Sequence, residues 1–123
     1  MDKTFMDEFQ KGTLAKPIAS AYYNLLVAEG MKVPVSVFKE ALTGLMKTDH
    51  TNHLENIKAT VLILWGTKDN FCTQDAQEQL VKGLADARLL VYERTGHALH
   101  WEEPARFVND LVGFVTRSAR LKM

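Results

Sequence analysis

Val61-Leu62-Ile63-Leu64-Trp65-Gly66-Thr67-Lys68-Asp69 is the stretch that decides the fold. An uninterrupted aliphatic run stops at Gly66, and an acid follows three positions later. Such a run is the pattern of a strand covered on both faces. It is echoed by Arg88-Leu89-Leu90-Val91-Tyr92-Glu93, which leads into Thr95-Gly96-His97. Between the runs, Thr73 is placed to cap a helix over 74–85, with Asp75 in its first turn. Ala76, Leu80, Val81 and Leu84 give that helix an inner face. Strand, helix and strand predict a right-handed βαβ unit with parallel strands, an α/β fold class. A last helix is expected from Pro104, with Phe107, Leu111, Phe114 and Val115 as its apolar stripe. The basic tail from Arg117 to Met123 is expected to fray.

Upstream of about residue 58 the pattern is helical. Phe5 and Phe9 lie at helical spacing, and Gly12 is placed to end that helix. Pro17 is expected to open a second helix with the stripe Ile18, Tyr22, Leu25 and Leu26, stopped by Gly30. Pro34 opens a third, in which Val37, Phe38, Ala41, Leu42, Leu45 and Met46 repeat to about Lys47. These residues are read as a packed helical layer, some of which can line an apolar pocket. Residues 48–58 are a polar connector. The organisation expected is therefore a helical segment with connector over 1–58 and a βαβα unit over 59–123.

Composition sets the bounds. The chain has 123 residues, 46% hydrophobic and 24% charged, an ordinary globular balance for one domain. Fifteen basic residues against fifteen acidic ones leave nothing to attract nucleic acid or an anionic membrane, so neither is expected as a partner. The sole cysteine, Cys72, has no internal partner, which fits a reducing compartment. No run approaches the ~20 apolar residues of a membrane span, and the N-terminus does not read as a signal peptide. A cytoplasmic protein is the expectation. A two-stranded sheet of apolar strands is marginal by itself. Val61–Leu64 asks for neighbouring strands that this sequence does not contain, so the chain is expected to be part of something larger.

Functional residues of open parallel sheets gather at the carboxyl ends of the strands. Asp69 and His97 both fall there, on strands expected to be neighbours. An Asp bonded to one imidazole nitrogen fixes the tautomer and leaves the other nitrogen as a base. Each alone reads more readily as a turn-capping Asp or a packed loop His; the pair at matching strand ends favours catalysis.

Trp65-Gly66-Thr67-Lys68-Asp69, Gly96-His97-Ala98-Leu99-His100-Trp101-Glu102-Glu103-Pro104 and the Phe-containing last helix resemble the C-terminal part of the α/β-hydrolase fold. Members of that family run Ser, Asp, His along the chain. The resemblance implies that Asp69 is the triad acid and His97 the triad base. It also implies that residues 17–47 are the end of a helical cap, so the segment 1–58 is cap-like and 59–123 is the end of the hydrolase core. It covers most of this chain but only the second half of a full member.

The nucleophile elbow G-x-S-x-G and the oxyanion-hole segment have no counterpart here. Ser20, Ser36 and Ser118 have no such flanks. Cys72 sits on the acid's own loop rather than an elbow, so it is not read as the nucleophile. His50 and His53, near Asp49 and Glu55, read as a solvated connector; His97, His100 and Glu103 read as hydrolase packing and helix start. No metal and no cofactor are expected. The resemblance implies ester or carbon–carbon bond hydrolysis of a small apolar substrate once an N-terminal half completes the site, and inactivity of this chain alone. The alternatives are a non-catalytic binding or complementation module, self-associating through its exposed sheet edge, and a truncated relic of a hydrolase.

Overall fold

In the computed structural model, which describes residues 1–120, three helices precede a strand–helix–strand unit and two further helices. They are α1 (Lys3–Gly12), α2 (Ser20–Met31), α3 (Val35–Lys47), β1 (Val61–Gly66), α4 (Gln74–Gly83), β2 (Ala87–Tyr92), α5 (Leu99–Glu102) and α6 (Pro104–Arg120). The connector contains a 3₁₀ helix, Thr51–Asn56. β1 and β2 are parallel, with Val61 opposite Ala87 and Gly66 opposite Tyr92. In this two-stranded sheet each strand has one unpaired edge.

The βαβ unit forms as the sequence predicts. Thr73 caps α4 by accepting from the Ala76 amide. α4 ends at Gly83, two residues early, where Leu54 of the 3₁₀ helix fills the space a side chain would need. Its inner face is turned by about one position from the expected one: Gln77 is buried and Val81 is exposed. The buried amide is tolerated because it donates to the Thr73 carbonyl.

The helical layer departs further from expectation. α2 begins at Ser20 rather than at Pro17, because the Ala15 and Lys16 amides donate to the Glu102 carboxylate and hold the entry segment off a helical path. Its buried residue is Val27, while Tyr22 and Leu25 of the expected stripe are exposed. Gly30 does not stop α2, which runs to Met31; it makes room for the buried Met6 of α1. The Tyr23 hydroxyl ties the same two helices at 2.9 Å from the Asp7 carboxylate. Burial first, and then that carboxylate, push the Tyr23 phenol up to about 12. α3 starts after Pro34 and carries its stripe at the expected spacing, yet buries none of it. Leu45 and Met46 are 75% and 79% exposed. Val108, Leu111, Val112 and Val115 of α6 are also exposed. The whole surface is 8816 Å², whereas a compact monomer of 13.9 kDa has about 6,700 Å².

α6 is anchored at its other face. The Tyr92 hydroxyl donates to Asp110 at 2.6 Å, and Arg106 stacks 3.8 Å over the Tyr92 ring. α6 stays helical through Arg120, so the segment from Arg117 expected to fray is helical that far; residues 121–123 lie outside the described residues. Among the described residues, no helix is long and apolar enough to cross a membrane.

Candidate active site

The loop after β1 is fixed by the backbone of its neighbour. Thr67 donates to the Tyr92 carbonyl at 3.0 Å, and Lys68 to the Thr95 carbonyl at 2.9 Å. Gly66 lies so close to this turn that a Cβ there would strike the Thr95 and Gly96 carbonyls. Asp69 Oδ1 then accepts from the Phe71 amide at 2.7 Å and from the Cys72 amide at 3.0 Å. The Cys72 carbonyl accepts from the Trp65 indole at 2.8 Å, which closes the loop onto its own strand. One carboxylate oxygen is thus spent on loop structure, and the other is free to face a partner.

The loop after β2 is held from the opposite end of the sequence. Arg94 takes a left-handed conformation (φ 58°), and its amide donates to the Thr67 hydroxyl at 2.8 Å. Glu102 accepts from the Gly96, Ala15 and Lys16 amides at 2.9, 3.1 and 2.9 Å. Gly96 is boxed in: a Cβ would meet the Glu102 carboxylate, the Ala15 amide and the Thr13 carbonyl. The Ala98 amide donates to the same Thr13 carbonyl at 2.9 Å. Beside this, Glu103 accepts from the Lys16 amine and the buried Thr95 hydroxyl. The Lys16 bond first, and then the Thr95 hydroxyl, hold the Glu103 carboxyl below the ordinary carboxylate range.

These two loops bring Asp69 and His97 together. His97 Nδ1 is 2.9 Å from Asp69 Oδ2. The Asp69 side chain is 6% exposed and that of His97 is 45% exposed. The carboxylate is therefore locked and shielded while the imidazole is open to solvent. Phe71 packs against the imidazole, ring centroids 5.2 Å apart. With Nδ1 donating to Asp69, Nε2 is left as an acceptor, the arrangement a general base requires.

His100 packs between Trp101 and Phe107, and burial, then the neighbouring His97, push its imidazole below the ordinary range. Glu103 of the His97–His100–Glu103 spacing is engaged by Lys16 and Thr95. His50 and His53 lie at the 3₁₀ helix, both exposed. Cys72 comes closer to the pair than its place in the sequence suggests: the ligand atoms of Asp69, Cys72 and His97 all lie within 4.8 Å of one another. Burial and the Asp69 charge push its thiol up, which disfavours a nucleophilic thiolate. Ser20 is the first residue of α2, Ser36 lies in α3 and Ser118 in α6, none of them at a strand–helix turn.

Sequence reasoning missed α5, the packing of Phe71 on His97, and the two glutamates as organisers of the base loop. Glu102 and Glu103 read as a helix start, and their partners at 15 and 16 stand 86 or 87 positions away. No local pattern encodes such a pairing.

A hydrogen-bonded Asp–His pair at the ends of adjacent parallel strands, with helices before and after, defines an α/β-hydrolase architecture. The sequence profile of the serine aminopeptidase S33 family matches residues 16–105, and the chain belongs to that family of α/β-hydrolases. It is 38% identical over 80 residues to the 2-hydroxy-6-oxononadienedioate/2-hydroxy-6-oxononatrienedioate hydrolase of Paraburkholderia phymatum, covering 63% of this chain and 28% of that protein. An enzyme of the same description from Dechloromonas aromatica is 33% identical over 69 residues, 56% of this chain and 24% of that protein. The chain thus spans about a quarter of the length of the curated relatives it matches. Among solved structures, an esterase from Exiguobacterium antarcticum superposes with a TM-score of 0.87 at 23% identity, over 93% of this chain and 42% of that one. The 2-hydroxy-6-oxo-6-phenylhexa-2,4-dienoate hydrolase of a Rhodococcus species gives 0.70 at 20% identity, over 97% and 44%. These structures share the fold.

Proposed function

We propose that Asp69 and His97 are the acid and base of a Ser–His–Asp hydrolytic site whose serine is none of the three in this chain. The observation that carries this reading is the 2.9 Å bond between His97 Nδ1 and a shielded Asp69 oxygen. In the complete site His97 Nε2 takes the serine proton, returns it to the leaving group and then activates water, while Asp69 holds the tautomer and stabilises the imidazolium. The serine and the oxyanion donors come from sequence beyond these 123 residues or from another chain.

The substrate class we favour is a small keto acid. The relatives' names describe a hydroxy-oxo dienedioate, which has no ester or amide linkage. Water then has a carbon–carbon bond beside a ketone to cleave. Ester hydrolysis uses the same acid and base. On this reading the cap-like helices α2 and α3 are assigned to the substrate side of the complete site.

The chain alone is proposed to be inactive, because without the serine the covalent route is gone. Incubation with p-nitrophenyl acetate and butyrate is expected to give no turnover above an imidazole blank; turnover abolished by His97→Ala would contradict this. The acid–base assignment is tested by grafting residues 59–120 into a full-length relative in place of the matching segment. His97→Ala is expected to cost at least about 10³-fold in kcat. A graft as active with His97→Ala as without it would remove the assignment.

A second reading, a non-catalytic module that pairs with a separate chain or a second copy, is favoured by the unpaired edge of β1 and the bare stripes of α3 and α6. A discrete dimer or hetero-complex on size-exclusion chromatography supports it, and a monomer at all concentrations opposes it.

A further inference from the structure

We propose that Asp69, Cys72 and His97 form a binding site for a thiophilic divalent cation of the zinc class. Their donor atoms, one oxygen, one sulfur and one nitrogen, lie within 4.8 Å of one another. A mixed set of thiolate, imidazole and carboxylate is the donor chemistry zinc takes, with ligand bonds of about 2.0–2.3 Å. Tetrahedral ligands around such an ion stand about 3.3–3.8 Å apart, so the Asp69–His97 pair at 2.9 Å need open by only about 0.5 Å and the Cys72 sulfur, within 4.8 Å, close by only about 1 Å. The exposed imidazole has the freedom to supply that movement.

The other two donors stand on a loop that is already fixed. Asp69 Oδ1 is held by the Phe71 and Cys72 amides, which leaves Oδ2 directed at the cluster. Cys72 is fixed through both its amide and its carbonyl, the latter by the Trp65 indole. Hydrogen bonds that aim the ligands from outside are a hallmark of metal sites. A fourth position is open to water because His97 lies at the surface.

Binding is ligand exchange. The thiol releases its proton to solvent, the imidazole passes to the tautomer protonated on Nε2 so that Nδ1 offers a lone pair in place of its hydrogen bond to Asp69, and the carboxylate turns from acceptor to ligand. The ion and the Asp69–His97 hydrogen bond therefore exclude one another. On the hydrolytic reading above the cation is an inhibitor that traps the acid and base together. The site itself does not depend on that reading, and its test uses no activity.

Cys72 is the sole cysteine, so the rate at which a thiol reagent such as 5,5′-dithiobis(2-nitrobenzoate) modifies the chain reports on this position alone. On the tag-free, metal-stripped chain, saturating Zn²⁺ is expected to slow that reaction at least tenfold, with reversal by EDTA. Co²⁺ is expected to give a near-ultraviolet thiolate-to-metal band with 1:1 stoichiometry. His97→Asn is expected to weaken the protection at least tenfold in zinc concentration, with its far-ultraviolet circular dichroism unchanged. A His50→Asn/His53→Asn double variant, which removes the exposed connector histidines, is expected to keep it. An unchanged modification rate in zinc, the absence of a cobalt–thiolate band, or protection that survives His97→Asn but is lost in the double variant overturns the proposal.

Discussion

The end of the molecule that carries Asp69 and His97 and the helical layer that precedes it are built by opposite means. Around the site, polar bonds run between residues far apart in sequence: Glu102 to 15 and 16, Ala98 to Thr13, Lys68 to Thr95. Glycines there fill places where no side chain fits. In α3 and the outer face of α6 the reverse holds. The apolar spacing is regular, but apart from Phe38, which packs on Phe5 and Phe9, most of these side chains stand in solvent and the glycines have empty space around them. A periodic stripe therefore records what a helix is made to cover, whereas the loop geometry is complete within the described residues. The first region is specified by close approach and hydrogen bonding, the second by hydrophobicity without a partner surface. Substitutions should respond accordingly.

The largest effect is expected at Gly66. A methyl group there meets backbone atoms of Thr95 and Gly96, which cannot rotate away as a side chain would. Gly66→Ala is expected to cost more than about 3 kcal/mol, enough to remove cooperative unfolding from a chain of this size. Thermal and urea melts followed by circular dichroism check this. A melt within 3 °C of the parent would show that the two loops are softer than the comparison requires.

Next is Glu102→Ala. It leaves the Gly96, Ala15 and Lys16 amides without their acceptor, and each is at or near the base loop. The expected loss is about 2–4 kcal/mol, since charge-assisted bonds are removed and partly buried donors are left unpaired. Glu102→Gln keeps one acceptor oxygen and is expected to lose about half as much. Amide exchange at Gly96 and Lys16 is expected to accelerate together, because one carboxylate protects both.

Glu103 gives a pH-dependent version of the same test. Its carboxyl titrates below the ordinary range because Lys16 and Thr95 bind the ionised form. A group whose folded value is depressed adds stability above its unfolded value, about 4.3, and loses it as pH falls through the folded one. Glu103→Gln is therefore expected to lower stability by about 1 kcal/mol at pH 7. The difference from the parent should close below about pH 4. A difference that stays constant from pH 7 to pH 3 would mean that the ionised carboxylate is not what holds this corner.

How much of this the sequence discloses follows the same divide. β1, α4 and β2 are readable because their signals are local: an apolar run, a capping Thr73, a stop at a turn. Their chain positions also suffice to put Asp69 and His97 at neighbouring strand ends, and the structure brings them within hydrogen-bond distance. The start of α2 is not readable. Pro17 is a sound local signal for a helix start, but the amides of the two preceding residues are claimed by a carboxylate from α5. The faces of α2 and α4 are misjudged by about one position, since an amphipathic pattern fixes a stripe but not which neighbour arrives to cover it. Cys72 is three residues from Asp69 in sequence, yet only the turn locked by Asp69 Oδ1 brings its sulfur back toward His97.

The smallest effect reverses sign between the two regions. Gly44 lies within α3 and Gly113 within α6, and a Cβ at either meets nothing within 4 Å. The backbone at both is ordinary helix, without positive φ. Alanine there forgoes no space and restricts the unfolded chain, so Gly44→Ala is expected to add about 0.5–1 kcal/mol, a few degrees in the thermal midpoint. The same chemical change is thus ruinous at the end of β1 and beneficial in α3. Gly44 is also the more informative position for what the helical layer covers. If the bare face of α3 packs against a further surface, in a second copy or a complementing chain, the added methyl sits beside Leu45 in that contact. Stabilisation of the isolated chain accompanied by weaker association on size-exclusion chromatography would place Gly44 at such an interface. Stabilisation with association unchanged would place the contact on the other side of the helix.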